Sequence, residues 1–381
     1  MYDPAAQYRT MKEEIDETVQ MVLGSKGKYR GKEELASFLD EFARYHGSAY
    51  AIPAGSGYDS IFKALLACEV GPGDEVITVS NNCIATSAAI SHTGGTIIWV
   101  DIDERTMNMD TENVEERITE RTKVILPVHM YGLPADMEPI AGLAEKYGLL
   151  VVEDAALALG AKYKGRLTGT IGDIGCFSHG ERKVLGSHFH GGTAITNDPE
   201  LAERMRNLFI YSESRGKTEV RGNTELHSEF YYPREGYPGT ILPVSAAVLR
   251  KKIKRVTSWQ ERKKEIEKVY RDKLVDSEVI LPIGSMELSG VFRTFRNYPV
   301  RIQNRDRVRR RLASKGIESG IHYSPPLHLQ PAYEKINGCK NQLVTTERVC
   351  KEILTLPMYP ELSDKEVTFI GETLRKIVDS G

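Results

Sequence analysis

Seven short apolar runs recur through the first two thirds of this 381-residue chain, and most are separated from the next by a stretch of helical periodicity. The runs fall at residues 49–53, 75–79, 96–101, 122–129, 149–153, 175–178 and 193–196, and the helical stretches at 57–68, 86–92, 137–147 and 200–208. Runs apolar throughout belong to strands covered on both faces, and helices between such strands supply the cover. The pattern predicts an α/β fold on a mostly parallel seven-stranded sheet. Near Pro243 the texture changes to a long helical segment over 244–275, followed by a smaller strand-and-helix unit. Two domains are expected, a large α/β one over 1–245 and a smaller C-terminal α+β one over 246–381. No internal repeat is present, and the charged run 305–311 reads as the wet face of a helix.

In an open α/β sheet, ligands settle beyond the carboxyl ends of the strands, so the residues after each run are where chemistry is expected. The first run leads into Ala54-Gly55-Ser56-Gly57-Tyr58, a small-residue turn opening a helix. Such a turn offers unpaired N–H groups to an anion such as a phosphate, and reads equally as an ordinary helix start. Asp154 follows the run at 149–153; an acid there suits a cationic ring nitrogen, or caps a turn. Ser178 closes another run and offers a hydroxyl. Five residues on, Lys183 sits in a loop before the turn at Gly191-Gly192. A lysine attacks a carbonyl only when deprotonated, so a partly buried loop near another cation suits a Schiff-base lysine, against the plainer reading of a solvated side chain. Turn, acid, hydroxyl and lysine are together the parts of a pyridoxal phosphate site.

Composition excludes several alternatives. With 51 basic and 53 acidic residues the net charge is -2, which gives no nucleic-acid or membrane surface. The five cysteines are scattered without a Cys-x-x-Cys pair, as for reduced thiols in a cytoplasm. The N-terminal region is charged throughout, and no apolar stretch approaches the length of about 18 residues that spans a bilayer. His179, His188 and His190 are a candidate metal set, since His-x-His on a strand puts both rings on one face. No carboxylate or cysteine is spaced to complete it, so no metal is expected.

Ordered motifs continue along almost the whole chain. They include Gly71-Pro72-Gly73-Asp74-Glu75-Val76-Ile77, Pro127-Val128-His129-Met130-Tyr131-Gly132, Glu153-Asp154-Ala155-Ala156, Gly172-Asp173-Ile174-Gly175-Cys176-Phe177-Ser178, Gly316-Ile317-Glu318-Ser319-Gly320-Ile321-His322-Tyr323 and Leu356-Pro357-Met358-Tyr359-Pro360-Glu361-Leu362. In these the chain resembles the DegT/DnrJ/EryC1/StrS sugar aminotransferases, which have the fold-type I architecture of aspartate aminotransferase. The resemblance implies pyridoxal 5'-phosphate as cofactor, with Lys183 forming the internal aldimine and Asp154 pairing with the pyridinium nitrogen. Ser56, Gly57 and Ser178 would hold the phosphate, beside Tyr58. It implies small-molecule substrates, an amino acid donor (usually glutamate) and a nucleotide-linked keto-sugar. His322 and Tyr323 are candidates to touch the sugar, or else a structural histidine and a packed tyrosine. It also implies a homodimer with the N-terminal helices and residues 234–240 at the interface.

Five positions depart from the family pattern. Cys83 stands where an aromatic ring covers the cofactor, and Leu157 where Gln or His approaches its O3'. Pro238 replaces an Asn that reaches the neighbouring subunit's phosphate, and proline cannot donate. His190 replaces an acid, and Tyr58 a threonine after the phosphate turn. Two explanations stay open: an enzyme specialised in substrate or cofactor hold, or a degenerate member with altered chemistry or a ligand-binding or regulatory role.

Overall fold

A computed structural model describes residues 3–25, 31–208, 220–221, 224–225, 235–284, 287–334 and 343–380. Cys339, and Arg234 at the expected subunit boundary, lie outside the described residues. The seven expected strands form one sheet: β1 (Tyr50–Ala54), β2 (Glu75–Val79), β3 (Thr96–Val100), β4 (Thr122–Ile125), β5 (Leu150–Asp154), β6 (Ile174–Ser178) and β7 (Gly192–Thr196). Their order is β1-β7-β6-β5-β4-β2-β3. Every neighbouring pair from β3 to β6 is parallel, and β7 alone runs against its neighbours β6 and β1. All five residues of β2 and of β7 are buried, which is why neither run shows the in-out alternation of a strand with one wet face.

Three helices open the chain: α1 (Pro4–Thr10), α2 (Lys12–Leu23) and α3 (Gly31–His46). The helices that cover the sheet or flank it are α4 (Gly57–Ala67), α5 (Ile84–His92), α6 (Met137–Tyr147) and α7 (Pro199–Asn207). The single helical segment expected over 244–275 is two helices, α8 (Pro243–Ile253) and α9 (Val256–Leu274), broken at Lys254 and Arg255. Periodicity does not report a change of axis: α8 packs on α2 and α3, whereas α9 packs on the C-terminal helix Asp364–Asp379. Ala246, Leu249 and Ile253 share a core with Phe38, Phe42 and Phe177. A separate core starts at Ile266 and gathers Tyr298, Val300, Leu354 and Leu356 from an antiparallel pair, together with Leu374 of the last helix.

The two cores are joined partly through main chain. Gly132, at φ +86°, lies so close to the second unit that a Cβ there would fall 1.6 Å from the Thr294 carbonyl oxygen. Thr294 N–H donates to the Gly132 carbonyl at 2.9 Å, so only glycine admits this crossing. Side chains reinforce it: Ser80 Oγ meets His328 Nδ1 at 2.5 Å, and the Asp101 carboxylate accepts from the Thr345 and Thr346 N–H groups at 2.9 and 2.8 Å. The strand ends beyond β2 and β5 therefore face the second unit across a fixed cleft.

Candidate active site

Each residue at the cleft is held by a short local argument. Ser56 caps α4, its hydroxyl oxygen accepting from Asp59 N–H at 3.1 Å, and the first N–H groups of the helix stay open toward the cleft. A Cβ on Gly57 would lie 2.7 Å from Ser178 Cβ, so the turn after β1 and the end of β6 touch only because residue 57 has no side chain. They form one cradle, in which helix N–H groups and a hydroxyl converge, as an anion requires.

Asp154 ends β5 and is 4% exposed. Its Oδ1 accepts from Ala156 N–H at 3.1 Å and its Oδ2 from Thr86 Oγ1 at 2.6 Å. Strand alternation sends the preceding Glu153 to the opposite side, where it accepts from His129 Nε2 at 2.9 Å and from the N–H groups of Gly169, Ile171 and Gly172. His129 Nδ1 accepts from Ala135 N–H at 3.0 Å, so its proton sits on Nε2, facing the acid. Burial pushes the Glu153 carboxyl up, but His129 and the backbone donors prevail and hold it below the usual carboxylate range. This network anchors the strand end that presents Asp154.

Lys183 is partly buried on the loop after β6. Burial and the nearby Arg296 guanidinium lower its amine to about 8, while Asp154 and Cys83 pull the other way. A lysine so shifted supplies free amine near neutrality. It lines one small cavity with Ala155, Ala156, Leu157 and Ser178. The loop is closed by His179, whose Nδ1 meets the Leu185 carbonyl at 3.1 Å and whose Nε2 meets Thr193 Oγ1 at 2.8 Å. With both nitrogens engaged, His179 is a clamp. His188 packs edge-on against Tyr8, and residues 188–189 form a bend followed by the exposed His190, so the strand geometry that a His-x-His metal pair requires is not found. Among the described residues no three His, Cys, Asp or Glu side chains gather as metal ligands.

The second unit contributes His322 and Tyr323. His322 Nδ1 lies 2.8 Å from Thr355 Oγ1 and 3.1 Å from Asn297 Nδ2, and its carbonyl accepts from the Tyr131 hydroxyl. Burial, then the charges of Arg296 and Lys183, push the His322 imidazole down to about 4, so the ring is neutral at pH 7. Burial, with Cys83 nearby, pushes the Tyr323 phenol well up. Arg296, 8% exposed, donates from Nη1 to Asn297 Oδ1 at 2.6 Å and thereby stands beside His322.

The departures fall differently. Cys83 is at the N-terminus of α5 and Leu157 packs on the main core, both close to Lys183. The Tyr58 side chain turns away from the cradle: its hydroxyl lies 2.6 Å from His92 Nδ1 and its ring stacks on Phe62, leaving only backbone N–H for an anion. Pro238 is exposed on a loop pinned to α4 through Lys63 Nζ, which donates to the Gly239 carbonyl at 3.2 Å and to Asp59 Oδ2 at 2.9 Å. Sequence reasoning missed Thr86, Asn82, Arg296 and Tyr131. The signal for Thr86 was faint: hydroxyls in a short helix that is otherwise small and apolar.

The model of the DegT/DnrJ/EryC1/StrS aminotransferase family matches residues 9–375. The chain belongs to this family. A dTDP-3-amino-3,4,6-trideoxy-alpha-D-glucose transaminase of Streptomyces venezuelae is 36% identical, over 98% of this chain and 94% of the relative. A UDP-N-acetyl-3-dehydro-alpha-D-glucosamine 3-aminotransferase of Acidithiobacillus ferrooxidans is 32% identical, over 99% and 97%. Among solved structures, S. venezuelae DesV in complex with a ketimine intermediate superposes with a TM-score of 0.90 at 34% identity, covering 99% of this chain and 97% of that one. NtdA of Bacillus subtilis with bound cofactor PMP superposes with a TM-score of 0.83 at 28% identity, covering 97% and 82%. The fold is therefore that of the family's sugar aminotransferases. Among the described residues no helix is long and apolar enough to cross a membrane.

Proposed function

We propose that the chain is a PLP-dependent aminotransferase that moves an amino group from an amino acid donor, glutamate, to a nucleotide-linked keto-sugar. One observation carries the reading: a partly buried lysine, its amine lowered to about 8, stands close enough to Asp154 to feel its charge, beside a cradle that a Cβ at residue 57 would fill. These residues fit the cofactor. The N–H groups after Ser56, at Gly57 and Tyr58, with the Ser178 hydroxyl, would hold its phosphate. Asp154 would hold a proton at its ring nitrogen, and Cys83 and Leu157 would flank it.

When bound, pyridoxal phosphate supplies an electron sink for the pair released at the donor's Cα. Lys183 Nζ takes the proton from that Cα and later delivers one to the acceptor carbon, a general base and acid suited to neutral pH. His322 and Tyr323, both half-buried, would face the acceptor. The transaminase relatives favour this over a degenerate binding protein.

A homodimer completes the proposal. Leu23 is 72% exposed, Phe189 54% and Leu242 50%, along one apolar groove between the N-terminal helices and the start of α8. Apolar exposure on this scale is covered in most soluble proteins. Among the described residues Cys68, Cys83, Cys176 and Cys350 are free thiols, in keeping with a cytoplasmic protein. The test is visible spectroscopy: protein loaded with PLP should absorb in the violet, lose that band on addition of glutamate, and then aminate one member of a panel of nucleotide-linked keto-sugars. No PLP uptake and no amination would sink the proposal.

A further inference from the structure

Behind Asp154 stands a hydrogen-bonded relay, both of its side chains buried, that none of the proposed roles uses. Asn82 and Thr86 are each 2% exposed. The Cys83 backbone N–H donates to Asn82 Oδ1 at 2.6 Å, Asn82 Nδ2 donates to Thr86 Oγ1 at 2.6 Å, and Thr86 Oγ1 lies 2.6 Å from Asp154 Oδ2. A threonine hydroxyl has a single proton. Since Asn82 can only donate to it through Nδ2, that proton is left for the carboxylate. Asn82 in turn is oriented by main chain, because its Oδ1 is taken by an N–H at the start of α5. The direction of every bond in the chain is thereby determined.

We infer that Thr86 is a positioning residue for the cofactor's ring nitrogen: it holds the Asp154 carboxylate in one rotation and occupies a lone pair of Oδ2. The remaining lone pairs are then committed to the cleft. Without the hydroxyl, Asp154 would keep only the Ala156 N–H, and its plane could turn about Cβ–Cγ. Directional hydrogen bonds in a dry site are worth more than in water, which gives a relay of this kind leverage over a group it does not touch. It also explains how the site accommodates Cys83. Residue 83 enters the relay by its backbone N–H, so the side chain there can change without disturbing Asp154.

The inference rests on the PLP reading and is tested apart from it. Wild type and the variants Thr86→Val, Thr86→Ser and Asn82→Asp are purified without cofactor and titrated with PLP, and ring-nitrogen protonation is read by ¹⁵N NMR of ring-labelled PLP. Thr86→Val keeps the side-chain shape and removes the hydroxyl. It should weaken PLP binding about tenfold and move the ring-nitrogen resonance toward the unprotonated position. Thr86→Ser should restore both. Asn82→Asp offers the hydroxyl a competing acceptor and should move the resonance in the same direction as Thr86→Val, which covers the case in which the valine variant folds poorly. Protonation and affinity unchanged from wild type in Thr86→Val and Asn82→Asp would overturn the role of Thr86 and leave the PLP reading standing. Failure of wild type to bind PLP would remove both.

Discussion

Lys252 Nζ donates to the Gly186 carbonyl across 2.7 Å, so a buried ammonium on α8 ties down the far end of the loop that carries Lys183. Lys252→Met preserves much of the packing but leaves that carbonyl without its donor. The loop should loosen, and trypsin should cut faster after the exposed Arg182. An unpaired buried acceptor costs about 1–3 kcal/mol, partly offset because a buried charge is also removed. Unchanged cleavage at Arg182 in a time course would show that the loop does not depend on Lys252.

Lys183→Ala should abolish covalent cofactor attachment and turnover while leaving circular dichroism unchanged, since the side chain is only partly buried and serves no core. Borohydride reduction followed by mass spectrometry should label wild type at Lys183 and fail to label the variant. In wild type, the rate of attachment to the cofactor-free protein should rise with pH and level off above about 8, where the amine is already free.

Stability should peak at mildly alkaline pH. Burial lowers His46, His179 and His322 to about 4, so between about 4 and 6.5 the unfolded chain binds more protons and stability rises with pH. Burial also lowers Lys263 to about 7 and Lys252 to about 8, extending the gain toward the ordinary lysine value of 10.5. Burial raises Cys68 and Cys350 to about 12, so above about 9 the thiols oppose the lysines, and beyond 10.5 their loss of stability prevails. Urea midpoints should rise from about pH 4 to about pH 9 and level off above it; a maximum below pH 6 would contradict the assignment.

Phe189→Glu should convert a dimer into monomers on light scattering, because a charge in the apolar groove cannot be covered at low cost. A wild-type monomer with full activity would contradict the homodimer.

Restoring the family's residues should tighten PLP binding. Cys83→Phe, Leu157→Gln and Pro238→Asn are each expected to contribute up to about 1 kcal/mol, or about fivefold, by adding a ring contact or a donor. Turnover of the native sugar is expected to fall in the same variants if these positions shape the acceptor pocket. No gain in affinity from any of them would show that the departures are neutral for the cofactor.

The sheet was legible because its strands are largely buried on both faces and rich in apolar residues without in-out alternation, as β2 shows with Val76, Ile77 and Val79. Lys183, Asp154 and Ser178 were legible because they directly follow strands. Thr86 and Asn82 were not: the first takes its role from a hydrogen bond to Asp154, 68 residues further along the chain, and the second acts only through the first. Arg296 was hidden for a similar reason, since it comes beside His322 through packing between segments distant in sequence. The break at Lys254 escaped because both halves have the same period, and only their partners differ.

Glu153 and Asp154 are neighbours with opposite duties, one committed to His129 and the loop at 169–172, the other to the cleft. A strand separates them simply by counting, as odd and even residues face opposite ways. An extra residue in the turn before β5 would leave both duties intact. The same insertion inside β5 would exchange the two acids, putting the longer carboxylate in the cleft and the shorter one in the buried network. Length within this strand is thus as strictly selected as the identity of either acid, and indels here should be far rarer among functional variants than conservative substitutions.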